Sequence, residues 1–280
     1  MLLPCLTAHA YDFSFIVDGI TYNRLEVKGR LIDEVAVIAG DKNYTGNIVI
    51  PERITHDGKT FTVTAIDTKA FWYCYGLTSV SIPNTVTTIG SSAFAGSSQI
   101  TSISIPNSVT TIGSCAFSSC KGLTSVTLGN SVTAISNYMF EHCKALTSVN
   151  IPNSVTQIGD HAFYYCSALT SIDIPNSVKE IGPYAFWQCT GLTSVYIGNS
   201  VHYIGYDAFR NCTGLTTVTI PNSVTSIGND AFAQCTGLVS FTSLATTPPN
   251  APAGAFLSST YTNAILWVPS SSIQDYSINQ

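Results

Sequence analysis

The residues with the greatest chemical potential are the nine cysteines, most of which recur at one fixed interval. Seven are spaced 23 or 46 residues apart: Cys74, Cys120, Cys143, Cys166, Cys189, Cys212 and Cys235. Such thiols could form disulfides, bind a metal or pack as small apolar side chains. An in-register column has parallel Cβ directions, which disfavour a disulfide. The favoured interpretation is therefore a buried thiol ladder, and a disulfide or a metal site remains an alternative.

The other groups that could perform catalysis do not form a recognisable constellation. No pair of the five histidines has zinc-motif spacing, and the sequence contains no nucleophile elbow, phosphate-binding loop or calcium loop. Asp173 and Glu180 are the only carboxylates in their copy of the repeat. They are expected on strands, seven positions apart, and this spacing does not predict an acid/base pair. We therefore expect neither catalysis nor a cofactor nor a metal.

Aromatic residues are concentrated in the second half of the chain, and several follow one another at 23-residue spacing. Three rows are predicted: Asn150, Asp173 and Tyr196; Gln157, Glu180 and Tyr203; and Tyr164, Trp187 and Arg210. Aromatic residues and Arg dominate binding hot spots, and Tyr and Trp also stack on sugars. We therefore take Tyr164, Trp187, Arg210, Asp173, Tyr196 and Tyr203 as the candidate partner-binding residues. The alternative is that these tyrosines only supply β-propensity and cross-strand packing.

The element that positions these residues is a repeat with the pattern LTSVxIPNSVTxIGxxAFxxCxx. Seven uninterrupted copies begin at Leu77, Ile100, Leu123, Leu146, Leu169, Leu192 and Leu215, and an imperfect eighth begins at Leu238. We number the 23 places of each copy from its first residue. One copy cannot bury its apolar side chains alone, so consecutive copies must stack as coils of a solenoid.

The pattern within each copy predicts two short strands and one turn. Apolar places 4 and 6 alternate with polar neighbours and predict a strand, which the proline at place 7 ends. A second extended segment is expected from Val86 to Ile89. The next segment, Ser91 to Ser97, predicts a single helical or 3₁₀ turn anchored by Phe94.

The ends of the chain depart from the repeat. Residues 1–10 resemble the end of a secretory signal, because Ala8-His9-Ala10 fits a small-x-small cleavage pattern. Residues 11–44 are predicted to be a β-rich N-terminal cap, residues 45–262 the solenoid, and residues 263–280 a closing strand and tail. Asp57-Gly58 predicts a β-hairpin that projects from the first coil.

The repeat closely resembles the BspA-like leucine-rich repeats of bacterial surface proteins, over about residues 45 to 270. The resemblance implies an α/β fold, namely a right-handed leucine-rich-repeat solenoid with a parallel β-sheet. It also implies export, with attachment to host proteins or to other cells as the function.

Composition limits the partners. Eleven Lys and Arg stand against 16 Asp and Glu, for a net charge of −5, which argues against nucleic acid. No apolar run approaches the roughly 20 residues of a transmembrane helix. We expect a non-enzymatic, adhesin-like protein, secreted or at the cell surface and possibly anchored to the outer membrane. Its partner is predicted to be an extracellular or host protein; the alternatives are a glycan-binding module and a structural spacer that displays another domain.

Overall fold

The computed structural model describes residues 14–27, 30–40, 43–251, 255 and 265–272, and its central part is a solenoid of parallel strands. The predicted signal remnant 1–10, most of the predicted eighth copy beyond residue 251, and the tail 273–280 lie outside the described residues. Each of the seven complete copies from Leu77 to Gly237 contributes two short strands, so two strand columns run along the array.

The first strand column contains place 4 of every copy. Its members are β4 (Gly46–Val49), β7 (Leu77–Ser81), β9 (Ser102–Ser104), β11 (Ser125–Thr127), β13 (Ser148–Asn150), β15 (Ser171–Ile174), β17 (Ser194–Ile197), β19 (Thr217–Ile220), β21 (Ser240–Ser243) and β22 (Ile265–Trp267). The strands are parallel, and hydrogen bonding runs in three stretches: β4 to β7, β9 to β13, and β15 to β22. Ile172 and Ile174 of β15 are buried while Ser171 and Asp173 are exposed, as the alternation predicts.

The second strand column contains places 12 and 13. Its members are β6 (Lys59–Ile66), β8 (Thr88–Ile89), β10 (Thr111–Ile112), β12 (Ala134–Ile135), β14 (Gln157–Ile158), β16 (Glu180–Ile181), β18 (Tyr203–Ile204) and β20 (Ser226–Ile227). The isoleucine at place 13 is buried in each of the seven complete copies, and its neighbour at place 12 is exposed or half-buried.

Four further strands belong to the N-terminal region: β1 (Ser14–Val17), β2 (Ile20–Val27), β3 (Arg30–Val37) and β5 (Arg53–His56). β1, β2 and β3 form an antiparallel meander, and β3 joins the second strand column through parallel pairing with β6. The hairpin predicted at Asp57-Gly58 is confirmed, because β5 pairs with β6 in antiparallel fashion and both turn residues have positive φ, 50° and 72°.

Eight phenylalanines stack along the core. Seven occupy place 18, from Phe94 to Phe232, and Phe71 extends the column toward the N-terminus. Neighbouring rings are nearly parallel, and their centroids lie 5.0 to 5.6 Å apart. The column therefore follows the spacing of the coils, close to the inter-strand distance of a β-sheet.

The cysteines at place 21 form a second buried column, as the sequence predicts. The Cys189 thiol donates to the carbonyl oxygen of Phe163 at 3.1 Å, and the same bond recurs one coil further, from Cys212 to Phe186 at 3.2 Å. Ser97 occupies this place in the first copy, and its hydroxyl donates to Phe71 at 2.7 Å. Every cysteine in the described part of the chain is a free thiol. Place 21 therefore requires a small donor, which a thiol or a hydroxyl supplies.

The predicted helical turn is wrong. Residues 77–237 contain no helix, and places 15 to 20 form a succession of tight turns, which we call the turn face. The residues at places 16 and 20 adopt left-handed backbone angles, as at Tyr184 (φ 55°) and Gln188 (φ 59°), which no right-handed helix accommodates. Backbone amides of the turn face alternate between two kinds of acceptor. The Phe186 amide donates to the carbonyl oxygen of Ala208 in the next coil at 2.7 Å, whereas the Trp187 amide donates to the carbonyl oxygen of Tyr184 within its own coil at 3.1 Å. This alternation adds a third series of inter-coil hydrogen bonds.

Candidate functional site

The three predicted rows form, but they lie on three different parts of the coil. Asp173 of β15 is the register partner of Tyr196 of β17 in the first strand column. Tyr203 of β18 pairs with Glu180 of β16 in the second strand column. Tyr164, Trp187 and Arg210 lie on the turn face. The six candidate residues are therefore divided among three surfaces rather than gathered in one patch.

The turn face carries a continuous group of rings over four coils. Its members, which we call the aromatic cluster, are Tyr138, His142, His161, Tyr164, Tyr165, Tyr184, Trp187 and Tyr206. This cluster includes two of the six predicted residues, and it adds rings at places 15, 16 and 20 that the row analysis did not select.

The cluster has two layers of stacked rings. At place 16, His161 is stacked between Tyr138 and Tyr184, with 4.6 Å between centroids on either side. At place 19, Tyr164 and Trp187 stack at 4.8 Å with an interplanar angle of 9°. Tyr164 also contacts His161 at 5.1 Å, which joins the two layers. These rings are half-buried, so each packs on its neighbours and still presents an edge or a face to solvent.

The backbone beneath the cluster makes these side chains energetically costly. Tyr138, His142, His161, Tyr165 and Tyr184 all have positive φ, between 55° and 59°. Left-handed geometry costs a bulky residue about 1–2 kcal/mol, whereas Gly and Asn tolerate it. The core does not require rings at these places, because other copies have Gly96, Ser119 or Asn211 there. An unfavourable residue that packing does not demand points to a role at the surface.

One edge of the cluster is an ion-pair network. The Arg210 guanidinium lies 2.9 Å from Asp207 and 3.2 Å from Asp230. The hydrogen bond with Asp207 is the main cause that raises the pKa of Arg210 above its ordinary value. Desolvation, followed by the negative charge of Asp207, raises the pKa of the Tyr184 hydroxyl. Arg210 is thus already paired, and Tyr184 stays protonated at physiological pH.

The imidazole of His161 is partly desolvated by its neighbours in the cluster. Burial lowers the pKa of its imidazole below the ordinary value, although Glu141 and Asp160 oppose the shift. Its Nδ1 is buried and has no hydrogen-bond partner among the residues that the structure describes. Neutral His161 therefore contributes to the cluster as an aromatic ring rather than as a cation.

A second, smaller aromatic group lies on the turn face before the first complete copy. Trp72 contacts Tyr73 at 4.5 Å, Tyr73 contacts Tyr75 at 5.5 Å, and Lys69 lies 5.0 Å above the Trp72 ring. Sequence reasoning missed this group, although Trp72 aligns with Trp187 at place 19 when counting is extended backward by whole repeats. Ala95 and Ser118 occupy place 19 in the next two copies, so the two aromatic groups are separate.

The described residues contain no group of three His, Cys, Asp or Glu side chains that could hold a metal ion. None of the helices that the structure describes is long and apolar enough to cross a membrane.

Stacked 23-residue coils with a parallel strand column define a leucine-rich-repeat solenoid. The sequence pattern of the BspA type leucine rich repeat region matches six copies, over residues 64–193 and 179–280. The chain belongs to this family, as its repeat predicts. No curated protein matches the chain by sequence.

Solved structures are similar in fold. The leucine rich repeat protein of T. pallidum shares 28% identity with a TM-score of 0.56, and the match covers 78% of this chain and 87% of that one. A leucine rich cell surface protein of Faecalibacterium prausnitzii shares 22% identity with a TM-score of 0.45, over 98% of this chain and 99% of that one. A leucine-rich repeat protein of Bacteroides ovatus shares 23% identity with a TM-score of 0.30, over 92% and 91%.

Proposed function

We propose that the chain is a non-enzymatic binding module, secreted or displayed at the cell surface, that recognises a protein partner through the aromatic cluster. The observation that carries the proposal is the set of stacked rings on left-handed backbone positions, which the core does not need. Membership of the BspA-type family supports a repeat-based role in binding or architecture.

The chemistry of the cluster favours a protein over a nucleic acid. Tyr and Trp supply large, rigid contact area with polar tips, which is typical of protein-binding hot spots. Glu141, Asp207 and Asp230 lie within or beside the cluster and would repel phosphates. Arg210, held between two aspartates, can form part of the polar rim that surrounds such a hot spot.

The test is binding of the full 280-residue chain to an array of extracellular host proteins, with the double variant Tyr164→Ala/Trp187→Ala beside the wild type. Losing two central aromatic contacts should weaken binding by at least about tenfold, since hot-spot residues contribute on the order of 2 kcal/mol or more each. The matched control is Tyr196→Ala/Tyr203→Ala, which removes rings from the two strand columns and should leave protein binding unchanged.

Melting temperatures of both variants establish that folding is intact. Equal binding by wild type and the Tyr164/Trp187 variant, or equal loss in the control, would refute the assignment of the site. If no protein binds, the function as a protein-recognition module is wrong, and a structural spacer becomes the better account.

A further inference from the structure

A groove borders the first strand column, on a different surface from the aromatic cluster. It has a volume of about 550 Å³, and its lining includes Asn150, Asn153, Asp173 and Tyr196. Pro152 and Pro175 contribute an apolar part of the wall. This volume lies within the range of small-ligand sites, about 300–1,000 Å³.

The repeat itself creates this groove. Place 5 points outward from the strands, so Asn150, Asp173 and Tyr196 follow one another on adjacent coils. Pro152 and Pro175 at place 7 follow two of these strands, Gly198 follows the third, and the asparagine at place 8 comes next in every copy. A row of polar side chains and a row of turns thus flank the groove on either side.

Tyr196 provides a ring beside the groove. It is 49% exposed, and its hydroxyl donates to Asn176 Oδ1 of the preceding coil at 3.4 Å. That oxygen also accepts the Asn199 amide at 2.7 Å, which fixes Asn176 in place. The ring is therefore oriented across the boundary between two coils, and one side remains available.

The polar side chains of the groove retain unused hydrogen-bonding capacity. Within the described part of the chain, Asn150, Asn153 and Asp173 make no side-chain hydrogen bond, in contrast to Asn107 and Asn176, which accept backbone amides of the next coil. An amide both donates and accepts, and a carboxylate accepts two bonds. Acceptors and donors that lie next to one another on adjacent coils are suited to the neighbouring hydroxyl groups of a sugar.

We propose that this groove binds a neutral saccharide, with the C–H face of one sugar ring against Tyr196 and its hydroxyl groups bonded to Asp173, Asn150 and Asn153. Asp173 is the only charged residue in the lining, and no Lys or Arg contributes to it. A uronate or sialylated sugar would place its carboxylate beside Asp173 without a compensating cation, so the site selects against anionic sugars.

The groove continues along the array, which indicates a chain rather than a single sugar. A second groove of about 830 Å³ shares Asn130 and Asn150 with the first and extends toward Ser79. Its outward-facing residues include Ser81, Ser104 and Thr127, which offer hydroxyl groups but no ring. One sugar thus stacks on Tyr196 at one end of the combined groove, and further sugars of the same chain lie along Ser81, Ser104 and Thr127.

The experiment is calorimetric titration of the full chain with neutral gluco-, manno-, galacto- and N-acetylglucosamine oligosaccharides, and with matched uronate and sialylated oligosaccharides. At least one neutral series should bind, with affinity that rises with chain length, and the anionic ones should bind at least about tenfold more weakly. Tyr196→Ala should weaken neutral binding by at least about tenfold, the effect of losing one aromatic contact. Asp173→Ala should weaken it as well.

The matched control is Tyr206→Ala, which removes a tyrosine of similar exposure, 44%, from the turn face. It should leave saccharide affinity unchanged, as should Tyr164→Ala/Trp187→Ala, so this inference and the proposed protein-binding function fail independently. The proposal is overturned if no neutral oligosaccharide binds at millimolar concentration, if anionic sugars bind equally well, or if Tyr206→Ala weakens binding as much as Tyr196→Ala.

Discussion

The thiol at place 21 must keep its proton to act as a hydrogen-bond donor, and burial ensures that it does. Desolvation raises the pKa of Cys120 and of Cys189 from 9.0 to about 12. Cys143, Cys166 and Cys212 are shifted in the same direction by the same cause. The cysteine column at place 21 is therefore protonated and unreactive at physiological pH, in agreement with its structural role.

These shifts predict alkaline destabilisation. A folded-state pKa above the unfolded one contributes stability that is fully present below about pH 9 and is lost as pH rises toward about 12. Cys189→Ser, which keeps a donor that does not ionise, should reduce the fall in melting temperature between pH 8 and pH 11. The converse change, Ser97→Cys, should increase it. The measurement is the melting temperature of wild type, Cys189→Ser and Ser97→Cys across this pH range. Identical pH profiles for the three proteins would contradict the predicted role of the buried thiols.

The aromatic cluster shows what the sequence could and could not predict at this scale. Spacing by 23 residues correctly placed Tyr164 beside Trp187 and Asp173 beside Tyr196. It could not reveal that place 16 is left-handed, because Tyr138 and His161 occupy that place and no copy has there the Gly or Asn that signals such geometry. The rings at place 16 were therefore counted among the aromatic residues of the second half of the chain, but they were not assigned to a predicted row.

The element that limits coil spacing is the turn after the second strand column. A Cβ on Gly205 would lie 2.4 Å from the backbone nitrogen of Pro183 in the preceding coil, which is far inside contact distance. Ser136 occupies this place in one copy only, and its hydroxyl donates to the carbonyl of Ile112. There the ladder is interrupted between β10 and β12, and the Phe117 and Phe140 rings are 5.6 Å apart, the widest spacing in the column.

Gly205→Ala should therefore destabilise the protein by about 1–3 kcal/mol, because two backbones must separate to admit one methyl group. Ser136→Ala is the matched control: its Cβ is already accommodated, and only a hydrogen bond worth about 1 kcal/mol is lost. Urea unfolding of both variants measures the difference. A smaller loss for Gly205→Ala than for Ser136→Ala would show that the close approach carries no strain.

Strands and helices differed in how well the sequence predicted them. Alternation of apolar and polar residues located the strand of each coil, and the Asp57-Gly58 pair located the hairpin, since both signals are local. The predicted helical turn failed because its hydrogen bonds are not local: the Phe186 amide bonds to Ala208 in the next coil. A segment of seven residues carries no periodicity that could distinguish the two outcomes.

The molecule as a whole is a linear array, in which each coil is stabilised mainly by its two neighbours. Phe163 is fully buried and stacks on Phe140 at 5.3 Å and on Phe186 at 5.1 Å. Its removal weakens two interfaces at once in the middle of the array. Phe241, in β21 near the C-terminal end, meets Phe232 edge-on at 5.6 Å.

Phe163→Ala should cost about 3–5 kcal/mol, the usual range for a buried phenylalanine. Because the defect is central, unfolding should separate into two transitions, one for the coils on each side. Phe241→Ala should cost less and leave a single main transition. Hydrogen exchange resolved along the chain measures both effects, and uniform loss of protection over all coils in Phe163→Ala would contradict the linear description.

The exact 23-residue register also has a consequence for the length of the array. Because successive copies have the same length, the removal or addition of one whole copy leaves every ladder position in register. The removal or addition of a copy between the two aromatic groups, such as the one that begins at Leu77 or at Ile100, changes the distance between Trp72 and Trp187 by one ring spacing, about 5 Å. The array can thus act as a ruler whose length is adjustable in steps of one coil, while each of the two aromatic groups keeps its own side chains.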